Sequence, residues 1–446
     1  MLKSVIRRFI PESVISAYHY LLARVAAFLY GHPSEKLIVI GVTGTNGKST
    51  TVQFIGRILK HAGYRVGWTT TASFKVADRE WVNDKKMTML GRFQTQKLLR
   101  EMVNAGCRYA VIETSSQGIA QSRHIGINYD VAVFTNLTPE HIEAHGGFEK
   151  YKAAKGKLFE GLGKLRRKVI DGNQIEKSVI VNLMDPHADY FLGFDADRFG
   201  GFALEEAGSL ATQLNTTPVV AEHVSFTGSC TTFSVGDVII HLKPIGRFYL
   251  ENALAAMATV KLLGVSQVEL QHAVESLESV PGRLERMDEG QPFSVIVDYA
   301  YEPAALTAVC ETLKLIHHKR LIHLLGSAGG GRDVARRMIL GRMAAEHADF
   351  VIVTNEDPYD DDPMEIINDI ADAARAAGKH EGVNLFRILD RREAIQFAID
   401  LAEPDDLVLI TGKGSEPVMA VAGGKKIPWD DRVAVRKALH HRYAST

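Results

Sequence analysis

GVTGTNGKST, residues 41–50, follows the apolar run Leu37–Ile40 and precedes a stretch, Thr51 to His61, whose apolar spacing predicts a helix. Strand, glycine-rich turn and helix in that order aim backbone N–H groups at phosphate oxygens, because Gly44 and Gly47 let the chain curl. Lys48 adds a point charge, and Ser49 a hydroxyl suited to magnesium. The common phosphate-loop spacing, with a glycine four residues ahead of the Gly-Lys pair, is broken because position 42 is Val. The alternative is an ordinary glycine-rich turn; the Lys-Ser pair and the preceding strand speak against it.

Outward from this stretch, short apolar runs alternate with helical patterns at Tyr109–Ile112, Val131–Phe134 and Val179–Val181. Such alternation predicts an α/β domain with a mostly parallel sheet. From about Ala221 to Leu242 the pattern changes to period two with glycine turns, which predicts an antiparallel patch on the same domain, and a helix is expected at Asn252 to Leu263. SVPGRLERM, residues 279–287, reads as a linker. Beyond it, Val295–Val297, Leu321–Leu325, Phe350–Val353 and Leu407–Ile410 alternate with helix-length stretches, predicting a second, Rossmann-like doubly wound domain. The expected division is residues 1–36, an N-terminal amphipathic helix; 37–283, a phosphate-loop central domain; and 284–446, a C-terminal domain.

Bulk properties exclude other classes. A chain of 446 residues supports two or three cores. A formal charge of -1 offers no field for nucleic acid. Cys107, Cys230 and Cys310 are widely spaced and form neither a disulfide framework nor a zinc pattern, so a cytoplasmic protein is expected. Lys3, Arg7 and Arg8 precede apolar residues at helical spacing up to Leu29, but His19 and Arg24 interrupt a span. The first helix therefore has three readings: docked on the next domain, lying on a membrane surface as a peripheral contact, or binding a partner.

Further motifs stand at strand ends. VIETSSQGI (111–119) places Glu113 where it can hold Mg2+, against the plain reading of a solvated strand end. FTNLTPEHIEAHGGFEKYKAAKGKLF (134–159) supplies Asn136, His141, His145, Lys152, Lys155 and Lys157; a lysine-rich helix is by itself usually a solvated face. In the second domain VDYAYEPAAL (297–306), LLGSAGGGRD (324–333), VTNEDPYDDDP (353–363) and ITGKGSEPV (410–418) each follow an apolar run. Glycines and acids are common in such turns, yet four of them at one sheet edge suggest a site.

Taken in succession, these motifs resemble those of the Mur ligase superfamily of ATP-dependent amide-bond-forming enzymes, and most closely its muramoyl-tripeptide synthetases, from about Leu37 to Leu439. The family's own loop reads TGTNGK followed by Thr or Ser, as residues 43–49 do here. The resemblance implies that Gly44, Thr45, Asn46, Gly47, Lys48, Ser49 and Thr50, with Asn252 and Arg283, bind ATP. It implies that Ser49, Glu113, His141 and Lys155 hold metal, with two Mg2+ ions and a carbamylated Lys155. Lys48, Lys155 and His141 become the expected catalytic residues. Ser115, Gln121 and Arg123 are implied for the acceptor, and Arg332, Glu356, Asp357, Tyr359, Gly414 and Glu416 for the remaining substrate contacts.

The implied reaction joins an amino acid to a muramoyl-peptide carboxylate through an acyl phosphate, with small-molecule substrates, no nucleic acid and a monomeric enzyme. Alternatives are a lipid-linked muramoyl acceptor, folate polyglutamylation, or a nucleotide-binding regulator without turnover. Departures from the family pattern bear on this. Only about 36 residues precede the central domain, where relatives carry a uridine-gripping domain of about a hundred. Thr88-Met89-Leu90 stands for Thr-Thr-Pro, Tyr301 and Ser415 each stand for His, and Gly331 stands for Asp. Glu356-Asp357-Pro358-Tyr359 replaces the Asp-Asn-Pro-Arg of diaminopimelate-adding enzymes. Loss of that arginine removes a bidentate grip on a distal carboxylate, so an amine-bearing side chain such as lysine is an alternative to diaminopimelate.

Overall fold

The computed structural model describes residues 11–85, 87–139, 145–206, 208–331 and 334–444. His141 and Arg332, both expected at the site, lie outside the described residues. The chain forms two compact units; the first comprises residues 1–225, 230–244 and 248–277, and the second comprises 226–229, 245–247 and 278–446.

The first unit opens with helix α1 (Glu12–Leu29). Its small side chains Ala23, Ala26 and Ala27 are buried. Strand β1 (Ile38–Thr43) follows and is buried on both faces, as its unbroken apolar run requires for the middle of a parallel sheet. Then come α2 (Lys48–His61), β2 (Val66–Thr69), β3 (Ser73–Val76), β4 (Arg79–Val82), α3 (Arg92–Asn104), β5 (Tyr109–Glu113), α4 (Ser116–Ala120), β6 (Val131–Phe134) and α5 (Phe148–Lys164). A two-residue hairpin β7–β8 (Val169–Ile170, Asn173–Gln174) leads to β9 (Ser178–Asn182), α6 (Ala188–Leu192), β10 (Arg198–Leu204), β11 (Val219–Phe226), β12 (Thr231–Val235), β13 (Val238–Leu242), α7 (Arg247–Leu262) and α8 (Gln267–Glu275). The sheet has eleven strands in the order β13-β12-β11-β10-β9-β6-β1-β5-β2-β3-β4. Its middle is parallel, with antiparallel pairs β12–β13, β2–β3 and β3–β4.

Register decides what meets the glycine-rich loop. Val42 in β1 stands opposite Glu113 in β5, and Thr43 stands opposite Phe134 in β6. The carboxyl ends of three neighbouring strands therefore deliver the loop, Glu113 and the Thr135–Asn136 turn to one edge, the usual ligand position in such sheets. At the opposite end Asp130 is buried between Lys168 and Lys177. Lys168 Nζ also donates to Ser34 O, Leu37 O and Asn128 O at 2.9, 2.6 and 2.8 Å, tying down the entry to β1.

The second unit contains β14 (Glu285–Met287), β15 (Ser294–Val297), α9 (Pro303–Leu313), β16 (Leu321–Leu325), α10 (Ala335–His347), β17 (Phe350–Thr354), α11 (Pro363–Ala376), β18 (Leu385–Ile388), α12 (Arg391–Leu401) and β19 (Leu407–Ile410). A hairpin β20–β21 (Val418–Val421, Lys425–Pro428) and α13 (Asp431–Ala444) complete it. Its sheet order is β14-β15-β19-β16-β17-β18, parallel except for β14. The end of the stretch read as a linker is thus a strand: Glu285–Met287 pairs antiparallel with β15. Three residues are too few to show a period, so the signal was absent from the sequence.

Candidate nucleotide and acid-activating site

Gly44 and Gly47 both have positive φ, and each is also sterically required. A Cβ at Gly44 would collide with the Thr135 hydroxyl, and one at Gly47 with the Asn252 carboxamide. The loop is held from β6: Thr45 N and Asn46 N donate to Asn136 O and Asn136 Oδ1, both at 2.8 Å. Asn136 Nδ2 and Thr135 Oγ1 donate to Asn46 O at 3.2 and 2.7 Å. Thr45 Oγ1 also lies 3.1 Å from Tyr151 OH. These bonds fix a curled backbone at the amino end of α2, where N–H groups and the helix dipole favour an anion.

Around that loop the structure gathers several of the expected residues. Ser49 Oγ donates to Glu113 Oε2 at 2.6 Å, and Thr71 N donates to the same oxygen at 2.7 Å. Lys48 Nζ donates to Thr45 O at 2.6 Å. Lys155, 1% exposed on α5, donates to Gly44 O at 2.6 Å and stands 4.5 Å from the Tyr151 ring centre. Asn252 on α7 accepts from Thr51 Oγ1 at 3.1 Å. Thr50 is buried in the first turn of α2. Ser49 and Glu113 form a pair of hard oxygen donors beside an anion cradle, a set that fits Mg2+ with a triphosphate. Among the described residues no group of three or more His, Cys, Asp or Glu side chains forms a metal cage.

Sequence reasoning passed over Thr71 and Tyr151, and it noted Asn136 and His145 without assigning them. His145 Nε2 lies 3.1 Å from Ser116 Oγ, and burial followed by the Lys155 charge lowers its pKa. Thr71, in the TTT run after β2, offered only its place beside a strand end as a signal. Ser115 caps α4 by accepting from Gly118 N at 3.1 Å. Gln121 Oε1 accepts from Arg123 Nη2 at 2.6 Å.

The second unit gathers the other set. Lys413, fully buried, donates to Asp357 Oδ1 and Oδ2 at 3.0 and 3.1 Å, and to Glu416. Burial would lower its pKa, but the Glu416 and Asp357 carboxylates reverse this and raise it. Glu356 is buried with Oε2 lacking a hydrogen-bond partner, and burial followed by the Asp357 charge pushes its carboxyl up. Tyr299 OH donates to Glu416 Oε1 at 2.9 Å, and Arg283 lies over the Tyr299 ring at 4.2 Å. Gly414 has φ 53°, and Tyr359 φ 53°. Two carboxylates, Asp357 and Glu416, thus pair with one lysine, and Glu356 feels the Lys413, Arg391 and Arg336 charges beside them.

Residues 42–260 match the Mur ligase middle domain, and residues 282–414 the Mur ligase glutamate ligase domain. A UDP-N-acetylmuramyl-tripeptide synthetase of Roseiflexus sp. (strain RS-1) is 38% identical over 436 residues, covering 96% of this chain and 84% of the relative. A UDP-N-acetylmuramoyl-L-alanyl-D-glutamate–2,6-diaminopimelate ligase of Geobacillus kaustophilus is 34% identical over 97% of this chain and 85% of its own. A solved structure of a ligase with that same name superposes with a TM-score of 0.60 at 28% identity, covering 92% of this chain and 79% of the other. The chain belongs to the Mur ligase family and is an ATP-dependent amide ligase.

Proposed function

We propose that this ligase adds an amino acid to the carboxylate of a muramoyl peptide, a step in making peptidoglycan precursors. Mur ligases use ATP and Mg2+. The observation that carries the reading is the convergence of Lys48, Ser49, Glu113 and Lys155 on one anion-binding loop. Ser49 and Glu113 would hold Mg2+, and Lys155 would serve as a carbamate that holds a second ion; the family resemblance assigns His141 to metal as well. Mg2+ supplies charge neutralisation at the transferring phosphoryl group.

In this reading the acceptor carboxylate attacks the γ-phosphorus of ATP. The bond to the ADP oxygen breaks, giving an acyl phosphate and ADP; the amine then attacks the acyl carbon, and phosphate leaves as the amide forms. Lys48 and the loop N–H groups position and neutralise the phosphates, so the protein needs no nucleophile of its own. Thr45, Asn46, Asn252 and Arg283 are assigned to ATP, and Ser115, Gln121 and Arg123 to the acceptor. We assign residues 37–283 to the ATP-binding domain, 284–446 to amine selection and 1–36 to an N-terminal segment, in a chain that works as a monomer.

For the amine we propose a diamino acid without a distal carboxylate, such as lysine. The Asp357, Glu416 and buried Glu356 carboxyls, with Tyr359 in place of an arginine, support this. Phosphate release is measured with ATP, Mg2+, a muramoyl dipeptide and a panel of amino acids. Release that needs both acceptor and amine, and is faster with lysine than with diaminopimelate, is expected. Release with folate acceptors alone, or tight ATP binding with no turnover, would refute it.

A second proposal concerns α1. Its outward face carries Tyr18, Leu21, Val25, Phe28 and Leu29, with Phe28 73% and Leu21 62% exposed. Residues 1–30 hold four cations, Lys3, Arg7, Arg8 and Arg24, against one acid, Glu12. An apolar and aromatic helix face in a cation-rich stretch of sequence fits an anionic membrane surface. No helix among the described residues is long and apolar enough to cross a membrane.

A further inference from the structure

Helix α3 starts with a cation where helices ordinarily start with an acid. Arg92 is its first residue, and no acidic side chain occupies its first turn, although the helix dipole there repels positive charge. Arg123, which follows α4, is its neighbour: burial, and after it the charge of Arg92, lowers the pKa of Arg123. Burial lowers Arg92 as well.

Both guanidinium groups donate to uncharged acceptors. Arg92 Nη2 donates to Gln121 O. Arg123 Nε and Nη2 donate to Gln121 Oε1 at 3.1 and 2.6 Å, and Nη1 donates to Met89 O at 2.5 Å. Arg92 Nε is buried with no hydrogen-bond partner. Among the described residues neither arginine has a carboxylate within ion-pair distance. The next residue, His124, adds no negative charge: burial, then the Lys157 charge, pushes it down to about 4. Lys157 instead contributes a further positive charge to the neighbourhood.

Two adjoining, partly buried cations without a counter-charge are costly to fold unless something brings the charge. One carboxylate would leave half of it uncompensated. Two planar forks match the oxygens and the double charge of a diphosphate. Gln121, which accepts from both arginines, belongs to the segment assigned above to the acceptor. We propose that Arg92 and Arg123 together hold a diphosphate group of the acceptor, borne on either a nucleotide or a lipid. The assignment rests on the muramoyl-acceptor reading and adds Arg92 to it.

Calorimetric binding to the full chain tests this, with the nucleotide site filled by a non-hydrolysable ATP analogue and Mg2+. Three probes are compared: N-acetylmuramoyl dipeptide linked to UDP, the same unit linked to polyprenyl diphosphate in detergent, and the diphosphate-free unit. The wild type is expected to prefer at least one diphosphate-bearing probe by roughly tenfold or more, and which one identifies the carrier. Arg92→Gln should erase most of that preference and Arg92→Lys only part, with melting temperature and ATP-analogue affinity unchanged. No preference in the wild type, or an Arg92→Gln effect that is absent or equal on all three probes, overturns the proposal. Expected binding without turnover of any muramoyl probe would sink the muramoyl-acceptor reading and leave the subsite standing; turnover with binding indifferent to Arg92 would do the reverse.

Discussion

Ser49 Oγ donates to Glu113 Oε2 across 2.6 Å, linking the first turn of α2 to the end of β5. Thr71 donates to the same carboxylate from the end of β2, through its N–H at 2.7 Å and its hydroxyl at 3.2 Å. Two strand ends and the first turn of a helix thereby aim one carboxylate at the anion cradle. Replacing Glu113 by Gln keeps the shape and removes the charge. Affinity for ATP with Mg2+ should fall roughly 10–100-fold, while affinity for ATP in the presence of a chelator stays the same. An equal loss in both titrations would show that Glu113 serves the loop's structure instead.

Lys155 is buried beside the loop carbonyl of Gly44. If it works as a carbamate, Lys155→Ala should lower turnover by about 10²-fold or more and recover part of it with acetate or formate. Wild-type activity should also fall when bicarbonate is removed. Lack of rescue, with no mass of added carbon dioxide on intact protein, argues for a plain lysine.

His323 in β16 is fully buried, lies 2.9 Å from Thr411 Oγ1, and is pushed down to about 3, chiefly by burial. In the unfolded chain its ordinary value is 6.5. The unfolded state therefore binds the extra proton first, so stability is present above that value and is lost as pH falls toward 3, by about 1.4 kcal/mol per pH unit. Chemical denaturation across this window should show the slope, and His323→Gln should reduce it by one proton. An unchanged slope would mean that His323 is already protonated in the fold.

The outward face of α1 gives a prediction independent of catalysis. Wild-type protein should sediment with vesicles containing anionic lipid and much less with neutral ones, and the double variant L21E/F28E should not sediment. Both side chains are exposed, so melting temperature should be unaffected. Indifference of the wild type to anionic vesicles ends this reading.

How much of this was legible in the sequence depends on distance along the chain. The run before the loop and the loop itself are local, and Val131–Phe134, Leu321–Leu325 and Leu407–Ile410 are strands with the bounds their apolar runs implied. The strands β3 and β4 were missed because four residues each are too few for a period to show, and Arg79–Val82 is largely exposed as well. The hold of Asn136 on Asn46 spans 90 residues, and nothing in either local pattern announces it. The Lys413 cluster was visible only as separate glycine-rich and acidic turns, since the sheet order that joins them is set by packing. The buried pair Arg391–Asp431 left no trace at all in the local pattern.

The central claim is that ATP activates the acceptor's carboxylate at the loop held by Glu113 and Asn136. Its most direct test uses a muramoyl dipeptide labelled with heavy oxygen in the reacting carboxylate, followed by mass analysis of the phosphate released on amide formation. Passage through an acyl phosphate leaves one labelled oxygen in each phosphate. Unlabelled phosphate, released at the same rate as the amide, would contradict the account.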